Sequence, residues 1–341
     1  MIKTDDTTLS KFIVHKIGSD ENHSVLSNQL WTQGDEDSEA ILKKLLLNPF
    51  VNHASTYEFA HEVNIEYNVL FGLAKSIFGE GDFIESSKMI AQHLIATSKH
   101  ANINDGDLFV AEFDGLELNG EPVQAIGIYK FEEKENFLEP NVIDKRSVID
   151  RRKGLSSRKP DKACLILLTD EPYTLLILDN HSKSTDYWQN DFIKHKPKND
   201  FVNNTTDFLT ITKSYITDQI GNDFEVSKAD QIDLLNRSVD YFKKNDTFVK
   251  DEFEEQVFND ASVIDSFRRY DQRYKEEHEL ELEDNFQISA QAVKKQQRVF
   301  KSVLKLDKNF HVYIHGNRDL IERGVDDNGR KYYKIYYEQE S

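Results

Sequence analysis

The stretch LFVAEF at residues 108–113 is short, apolar and followed by the turn pair Asp114-Gly115. Short apolar runs bounded by turn residues are typical of strands in an antiparallel sheet. Three more runs of this kind follow, at residues 123–131, 163–168 and 173–178. The sequence therefore predicts an antiparallel sheet in this part of the chain.

Upstream of these strands, the apolar residues recur at helical spacing. Residues 65–78 and 84–98 are predicted helices, and the second carries Met89, Ile90 and Leu94 on one face. A strand is predicted at residues 9–17, and a helix capped by Ser38 follows it. We expect the helices to pack on one face of the sheet.

Downstream of Pro197 the pattern becomes mainly helical. Ser227 and Asp230 form a capping-box pattern at the start of one predicted helix, and Ser289 can cap another. The chain ends in short strands with a turn at residues 326–329. The predicted fold class is α+β. An N-terminal domain, residues 1–197, holds an antiparallel sheet with packed helices, and a mainly helical C-terminal domain, residues 198–341, ends in a small β-hairpin.

The composition limits the classes of function. The chain has 341 residues, with 43 Lys+Arg against 61 Asp+Glu and a net charge of -18. Proteins that coat DNA are usually basic, so DNA binding here would require a local basic patch. Cys164 is the single cysteine, which excludes an intrachain disulfide. The sequence has no apolar run long enough to cross a membrane and no signal-peptide pattern at its start, so we expect a cytoplasmic protein without a membrane partner.

A local basic patch is predicted at residues 294–308. Five cations follow one another at intervals of four, three, four and three, and no Asp or Glu occurs at residues 287–306. On one helix this spacing forms a narrow basic stripe, whereas solvated helix faces usually mix charge signs. Lysine suits contact with the phosphate backbone, so we predict duplex DNA binding without sequence specificity. An ordinary amphipathic helix with a solvated face is the alternative. The candidate DNA-binding residues are Lys294, Lys295, Arg298, Lys301, Lys305 and Lys308.

A second basic segment lies at residues 145–162, between two predicted strands, and is predicted to be an exposed loop. Asp144, Asp150 and Asp161 dilute its charge. We expect it to assist in contacting phosphates. The candidate residues are Arg151, Arg152, Lys153, Arg158 and Lys159.

Evidence for catalysis is weak in the sequence. The phosphate-binding loop, the dinucleotide fingerprint, the HExxH zinc motif and the GxSxG nucleophile motif are all missing. Glu132-Glu133-Lys134 follows a predicted strand, and Asp107 or Glu112 could complete the carboxylates of a metal-dependent nuclease. A solvated hairpin end explains the same residues. His311 and His315 share a face but lack a third metal ligand. We predict no enzyme activity, no cofactor and no metal.

Several motifs, taken in order, resemble one family. They are NIEYN at residues 64–68, IAQHL at 90–94, INDGDLFV at 103–110, KACLI at 162–166 and LDKNF at 306–310. The series is similar to the bacterial 37-kDa nucleoid-associated proteins and covers most of the chain. This resemblance implies a nucleoid location and binding to double-stranded DNA, and it transfers no catalytic residue.

The sequence therefore predicts a non-catalytic, nucleoid-associated protein that binds double-stranded DNA. Two alternatives stay open: a protein-interaction module for a partner on the chromosome, such as a topoisomerase, and a metal-dependent nuclease in DNA processing or phage defence. A homodimer would let two basic strips form a groove, although the sequence does not determine the oligomeric state.

Overall fold

Two structural units divide the chain, Met1–Lys198 and Asn199–Ser341. The structure is a computed structural model that describes residues 2–32, 34–98, 104–155, 159–180, 187–300, 303–314 and 320–339. Each unit has apolar clusters of its own. Within the described ranges, no helix combines the length and apolar character needed to cross a membrane.

An antiparallel sheet forms the centre of the first unit. Its strands lie in the order β1-β4-β5-β8-β9-β3-β10, with β2 also paired to β4. A separate two-stranded sheet consists of β6 and β7. The strands are β1 (Ile2–Lys3), β2 (Thr8–Ile17), β3 (Tyr57–Phe59), β4 (Gly106–Leu118), β5 (Glu121–Phe131), β6 (Glu135–Ile143), β7 (Arg146–Gly154), β8 (Lys162–Leu167), β9 (Thr174–Asp179) and β10 (His195–Pro197).

Both faces of this sheet are buried. Along β4, Leu108 and Val110 enter one apolar cluster, while Phe109 and Phe113 enter the other, as the two-residue period of a strand requires. The first cluster includes residues of α2 (Val69–Phe78) and α3 (Phe83–Thr97), together with the fully buried Trp188. The second cluster includes residues of α1 (Glu36–Leu47). The expectation that the helices share one face was therefore wrong for α1.

The β6–β7 hairpin replaces part of the predicted basic loop. Its central turn residues, Asp144 and Lys145, have φ values of 50° and 61°. Positive φ at both central positions defines the tight two-residue turn that matches the twist of a hairpin. The prediction of a loop across residues 145–162 was wrong over β7. The many cations of this strand resemble the polar composition of an exposed loop.

The second unit is mainly helical. A cluster of aromatic side chains forms its core, with Phe208 and Phe248 at 4.3 Å between ring centroids. A π-helical segment, Tyr215–Gln219, connects α4 to α5. The helices are α4 (Phe201–Ser214), α5 (Ile220–Asp223), α6 (Lys228–Lys244), α7 (Lys250–Val257), α8 (Ala261–Glu277) and α9 (Ala290–Gln297).

Three small antiparallel pairs complete the second unit: β11 (Thr247–Val249) with β12 (Asn285–Gln287), β13 (Val303–Leu306) with β14 (Phe310–Tyr313), and β15 (Ile321–Val325) with β16 (Lys331–Ile335). The predicted capping box is present at the start of α6, where the Asp230 carboxylate accepts from the Ser227 N–H at 2.9 Å. The α+β class and the small C-terminal hairpin are confirmed.

Candidate nucleic-acid interface

Helix α9 carries the first of the predicted DNA-binding cations. The Ser289 hydroxyl accepts from the Ala292 N–H at 3.3 Å and starts the helix. Ala292 and Val293 are buried, while Lys294 and Lys295 are exposed. This short amphipathic helix therefore presents its lysines to solvent because its apolar side is held in the core.

The helix ends at Gln297, far short of Lys308. The N–H groups of Arg298 and Val299 bond to the carbonyls three residues earlier, at 3.3 and 2.9 Å. Such tight bonds are common in the last turn of a helix. Phe300 is then buried. The predicted helix over residues 294–308 was therefore wrong in its second half.

A strand occupies the place of that second half. Lys305 lies in β13, where it is opposite His311 of β14, and Lys308 lies in the turn between the two strands. Leu304 packs with Ala229 and Ile232 of α6. Lys301 lies outside the described residues. The five cations therefore do not form one helical stripe.

A cavity of about 660 Å³ lies between α6, the end of α9 and the β13–β14 hairpin. Lys243, Lys305 and His311 line it, together with one carboxylate, that of Asp240. The sequence reasoning missed Lys243, since it lies on another helix and nothing in its neighbourhood suggests a role. His311 was considered only as a metal ligand. The structure therefore groups Lys305 with Lys243, a cation from an element that is distant in sequence.

The second-unit cations are exposed. Lys294, Arg298, Lys305 and Lys308 all lie on the surface. Across the described ranges, no carboxylate forms an ion pair with Lys294, Arg298 or Lys305 within 4.0 Å. A charge that is exposed and lacks an internal counterion is available to an external anion.

The β7 cations are exposed as well, but they point to two sides of the hairpin. Arg152 Nε donates to the Glu139 carboxylate at 2.9 Å. Arg151 and Lys153 lie on the other face, opposite Leu138 and Asn136. Lys159 is exposed and lines a separate, largely apolar cavity of the first unit. Arg158 lies outside the described residues.

The carboxylates of the nuclease alternative are each paired with a lysine. Asp107 pairs with Lys134 at 2.5 Å, and Glu112 pairs with Lys11 at 2.9 Å. Glu132 pairs with Lys130 at 3.0 Å. The described part of the chain holds no group of three His, Cys, Asp or Glu side chains that could bind a metal ion.

Lys130 and its neighbours form a buried polar cluster that the sequence reasoning missed. Lys130 Nζ donates to the Asn104 carbonyl at 2.8 Å and to Tyr187 Oη at 3.2 Å. Lys162 Nζ pairs with Asp179 at 2.7 Å. Burial lowers the pKa of Lys130, opposed by the charge of Glu132. Both lysines have carboxylate partners, so the cluster stabilises the ends of the strands that carry them. In the sequence, the sole signal of this cluster is a lysine next to an apolar strand run.

Two surface features bear on the class of protein. The second unit exposes Lys294, Arg298 and Lys305, which form no ion pair with a carboxylate of the described residues, and the first unit carries exposed cations on the β6–β7 hairpin. Local basic surfaces on an acidic chain are typical of proteins that contact nucleic-acid backbones. The family model described as nucleoid-associated protein YejK matches residues 13–330. The chain therefore belongs to this family of nucleoid-associated proteins, and the resemblance seen in the sequence is confirmed. No curated protein shows a significant match.

Proposed function

We propose that this protein binds double-stranded DNA largely without sequence specificity and without catalysis, as a cytoplasmic protein located at the nucleoid. The carrying observation is that Lys294, Arg298 and Lys305 are exposed and, within the described residues, form no ion pair with a carboxylate. In a chain of net charge -18, such cations favour an anionic partner. Family membership supports DNA as that partner.

The chemistry of the cations supports backbone contact over base readout. Lysine acts as a point charge, whereas arginine offers the planar fork that reads guanine. Arg298 is the single arginine among the proposed contacts of the second unit. Phosphate contacts position a protein on DNA but carry no sequence information. We therefore expect similar affinities for unrelated duplexes of equal length.

Fluorescence anisotropy with duplex DNA across a salt series tests the proposal. The variant Lys294→Gln/Arg298→Gln removes two proposed phosphate contacts. The slope of the logarithm of the binding constant against the logarithm of the salt concentration, called the salt slope, is expected to be shallower than in the wild type by about two. Each phosphate contact contributes about 0.9 to this slope. The matched control, Arg269→Gln/Arg273→Gln, removes the same charge from exposed positions of α8 and should keep the wild-type slope.

Three results would contradict the proposed function or one part of it. Equal losses in both variants would show that net charge alone matters and that the α9 surface has no special role. An absence of binding by wild-type protein at low salt would favour an acidic protein partner for the basic surface. Shortening of the duplex after addition of Mg²⁺ or Mn²⁺ would contradict the non-catalytic part and support the nuclease alternative.

A further inference from the structure

The β6–β7 hairpin exposes large apolar side chains on a sheet that has no other strand. Each of its strands has nine residues, which corresponds to about 27 Å of extended chain. Among the described strands, neither pairs with any strand outside the hairpin. A lone two-stranded hairpin is marginal in water, and clustered exposed apolar residues mark interaction sites. A bound partner would therefore both cover and order this hairpin.

The two faces of the hairpin differ in charge. Side chains directly opposite each other in an antiparallel pair share a face, so the register assigns every residue. One face, the paired face, carries Glu135, Glu139 and Asp150, and a Cβ placed on Gly154 would lie 3.0 Å from the Phe137 ring. The other face, called the open face, carries no carboxylate. The open face consists of Asn136, Leu138, Pro140, Val142, Ser147, Ile149, Arg151 and Lys153.

The open face combines two cations with an apolar ridge. Leu138, Val142 and Ile149 are 66%, 76% and 64% exposed. Arg151 and Lys153 lie at the base of the hairpin and, within the described residues, form no ion pair. Leu138 lies directly opposite Arg151, and Ile149 and Val142 lie nearer the tip, so the cations and the apolar ridge adjoin on one face.

Charge complementarity favours nucleic acid over a second copy of this chain. In a symmetric dimer contact each partner uses the same surface. Two open faces in contact would bury cations, and neither face has a carboxylate to pair them. A DNA groove instead offers phosphates along its edges for the cations and base edges for the apolar side chains.

We propose that the β6–β7 hairpin enters the minor groove of duplex DNA with its open face toward the bases. Arg151 and Lys153 contact phosphates, while Leu138 and Ile149 wedge between base pairs and bend the duplex. Leucine, isoleucine and proline are among the side chains that open base steps from the minor groove. This inference rests on the proposed function and adds the element that bends the DNA.

Energy transfer between dyes at the two ends of a duplex measures the bend, and anisotropy on the same duplex measures affinity. The full-length variant Leu138→Ser/Ile149→Ser removes the wedge. It is expected to bind DNA about tenfold more weakly, with an unchanged salt slope and the energy transfer of straight DNA. The control Ile143→Ser/Val148→Ser alters the paired face and should bend DNA as the wild type does. The variant Arg151→Gln/Lys153→Gln should reduce the salt slope by about two.

The outcomes separate the two proposals. Wild-type binding with unchanged bending in the Leu138→Ser/Ile149→Ser variant would overturn the hairpin's role and leave DNA binding intact. Conversion of a wild-type dimer to a monomer by this variant, with bending unchanged, would identify the open face as a contact between copies and also overturn it. Absence of wild-type binding would overturn the proposed function itself. Circular dichroism of each variant confirms that it is folded.

Discussion

Lys130 of β5 and Lys162 of β8 lie directly opposite each other, and both side chains are fully buried. Each has its own carboxylate, Glu132 at 3.0 Å and Asp179 at 2.7 Å. Both ammonium groups also lie near the Tyr187 ring, at 5.6 and 5.1 Å from its centroid. The two positive charges are therefore tolerated side by side because each is separately neutralised.

Removal of one carboxylate from this cluster should be strongly destabilising. Glu132→Gln leaves the buried Lys130 ammonium without its counterion, and we expect a loss of about 3–5 kcal/mol in the free energy of unfolding. Lys130→Met/Glu132→Gln should recover most of this loss, because the remaining side chains are neutral. Urea unfolding followed by circular dichroism measures both. Glu117→Gln, which breaks the more exposed pair with Lys3, should lower the free energy of unfolding far less. An equal loss in Glu117→Gln and Glu132→Gln would contradict the argument.

The buried histidine His15 should make stability depend on pH. The Ser27 N–H donates to Nδ1 at 3.1 Å, so the proton lies on Nε2, which is 3.1 Å from Ser87 Oγ. Burial, with a smaller effect from Lys88, lowers the pKa of His15 from 6.5 to about 4. The unfolded chain therefore binds more protons between these values, and stability falls as the pH decreases from 6.5 toward 4.

The loss in the free energy of unfolding that His15 causes on acidification should reach at most about 3 kcal/mol. Glutamine at position 15 cannot bind the proton, so the stability of His15→Gln should depend less steeply on pH over the same window. At neutral pH this variant should be less stable than the wild type. Urea unfolding at a series of pH values gives the comparison. His23→Gln alters an exposed histidine and serves as the control. Parallel pH profiles for wild type and His15→Gln would rule out a buried neutral imidazole.

Asp207 of α4 should make stability depend on pH in the direction opposite to that of His15. Burial raises the pKa of this carboxyl from 3.8 to about 6, so the folded state binds more protons between these values. Stability therefore falls as the pH rises through this window. Asp207→Asn stays neutral and should be more stable by about 1–2 kcal/mol at neutral pH, allowing for partial solvent exposure. The gain should vanish below about pH 4, and the exposed Asp240→Asn should show no such pattern.

The hairpin turn should tolerate glycine better than lysine. Lys145 has a φ of 61°, a conformation that costs a side-chain-bearing residue about 1 kcal/mol. Lys145→Gly creates an Asp-Gly pair, which this turn type favours. Hydrogen exchange of the amides in β6 and β7 should slow accordingly. Lys145→Ala keeps the unfavourable conformation and should give no gain; slower exchange in both variants would assign the effect to loss of charge.

Much of the fold follows from local sequence patterns. The strands around residues 108–113 alternate between two apolar clusters and are separated by turn residues, so period and turn chemistry agree. The start of α9 was predicted correctly from Ser289. Its end was not, because spacing of four and three residues suits a helix and no breaker intervenes. Leu304 packs against α6, and this tertiary contact favours the strand β13 over a continuation of helix α9.

The candidate site was predictable in composition but not in arrangement. Exposure of Lys294, Arg298 and Lys305 follows from their charge. The cavity that joins Lys305 to Lys243 depends on how the β13–β14 hairpin packs on α6, which no local pattern reveals. Similarly, the open face of the β6–β7 hairpin became recognisable only from the strand register, since the one-residue alternation separates Arg151 from Arg152.

The position of Trp188 in the core of the first unit has a practical consequence. The chain has two tryptophans, Trp31 and Trp188, and both belong to Met1–Lys198, whereas the aromatic residues in the core of Asn199–Ser341 are phenylalanine and tyrosine. Indole emission therefore monitors the loss of the first unit alone, while tyrosine absorbance also reports on the second. Comparing the two signals during denaturation would show directly whether the halves of the protein melt together or one after the other.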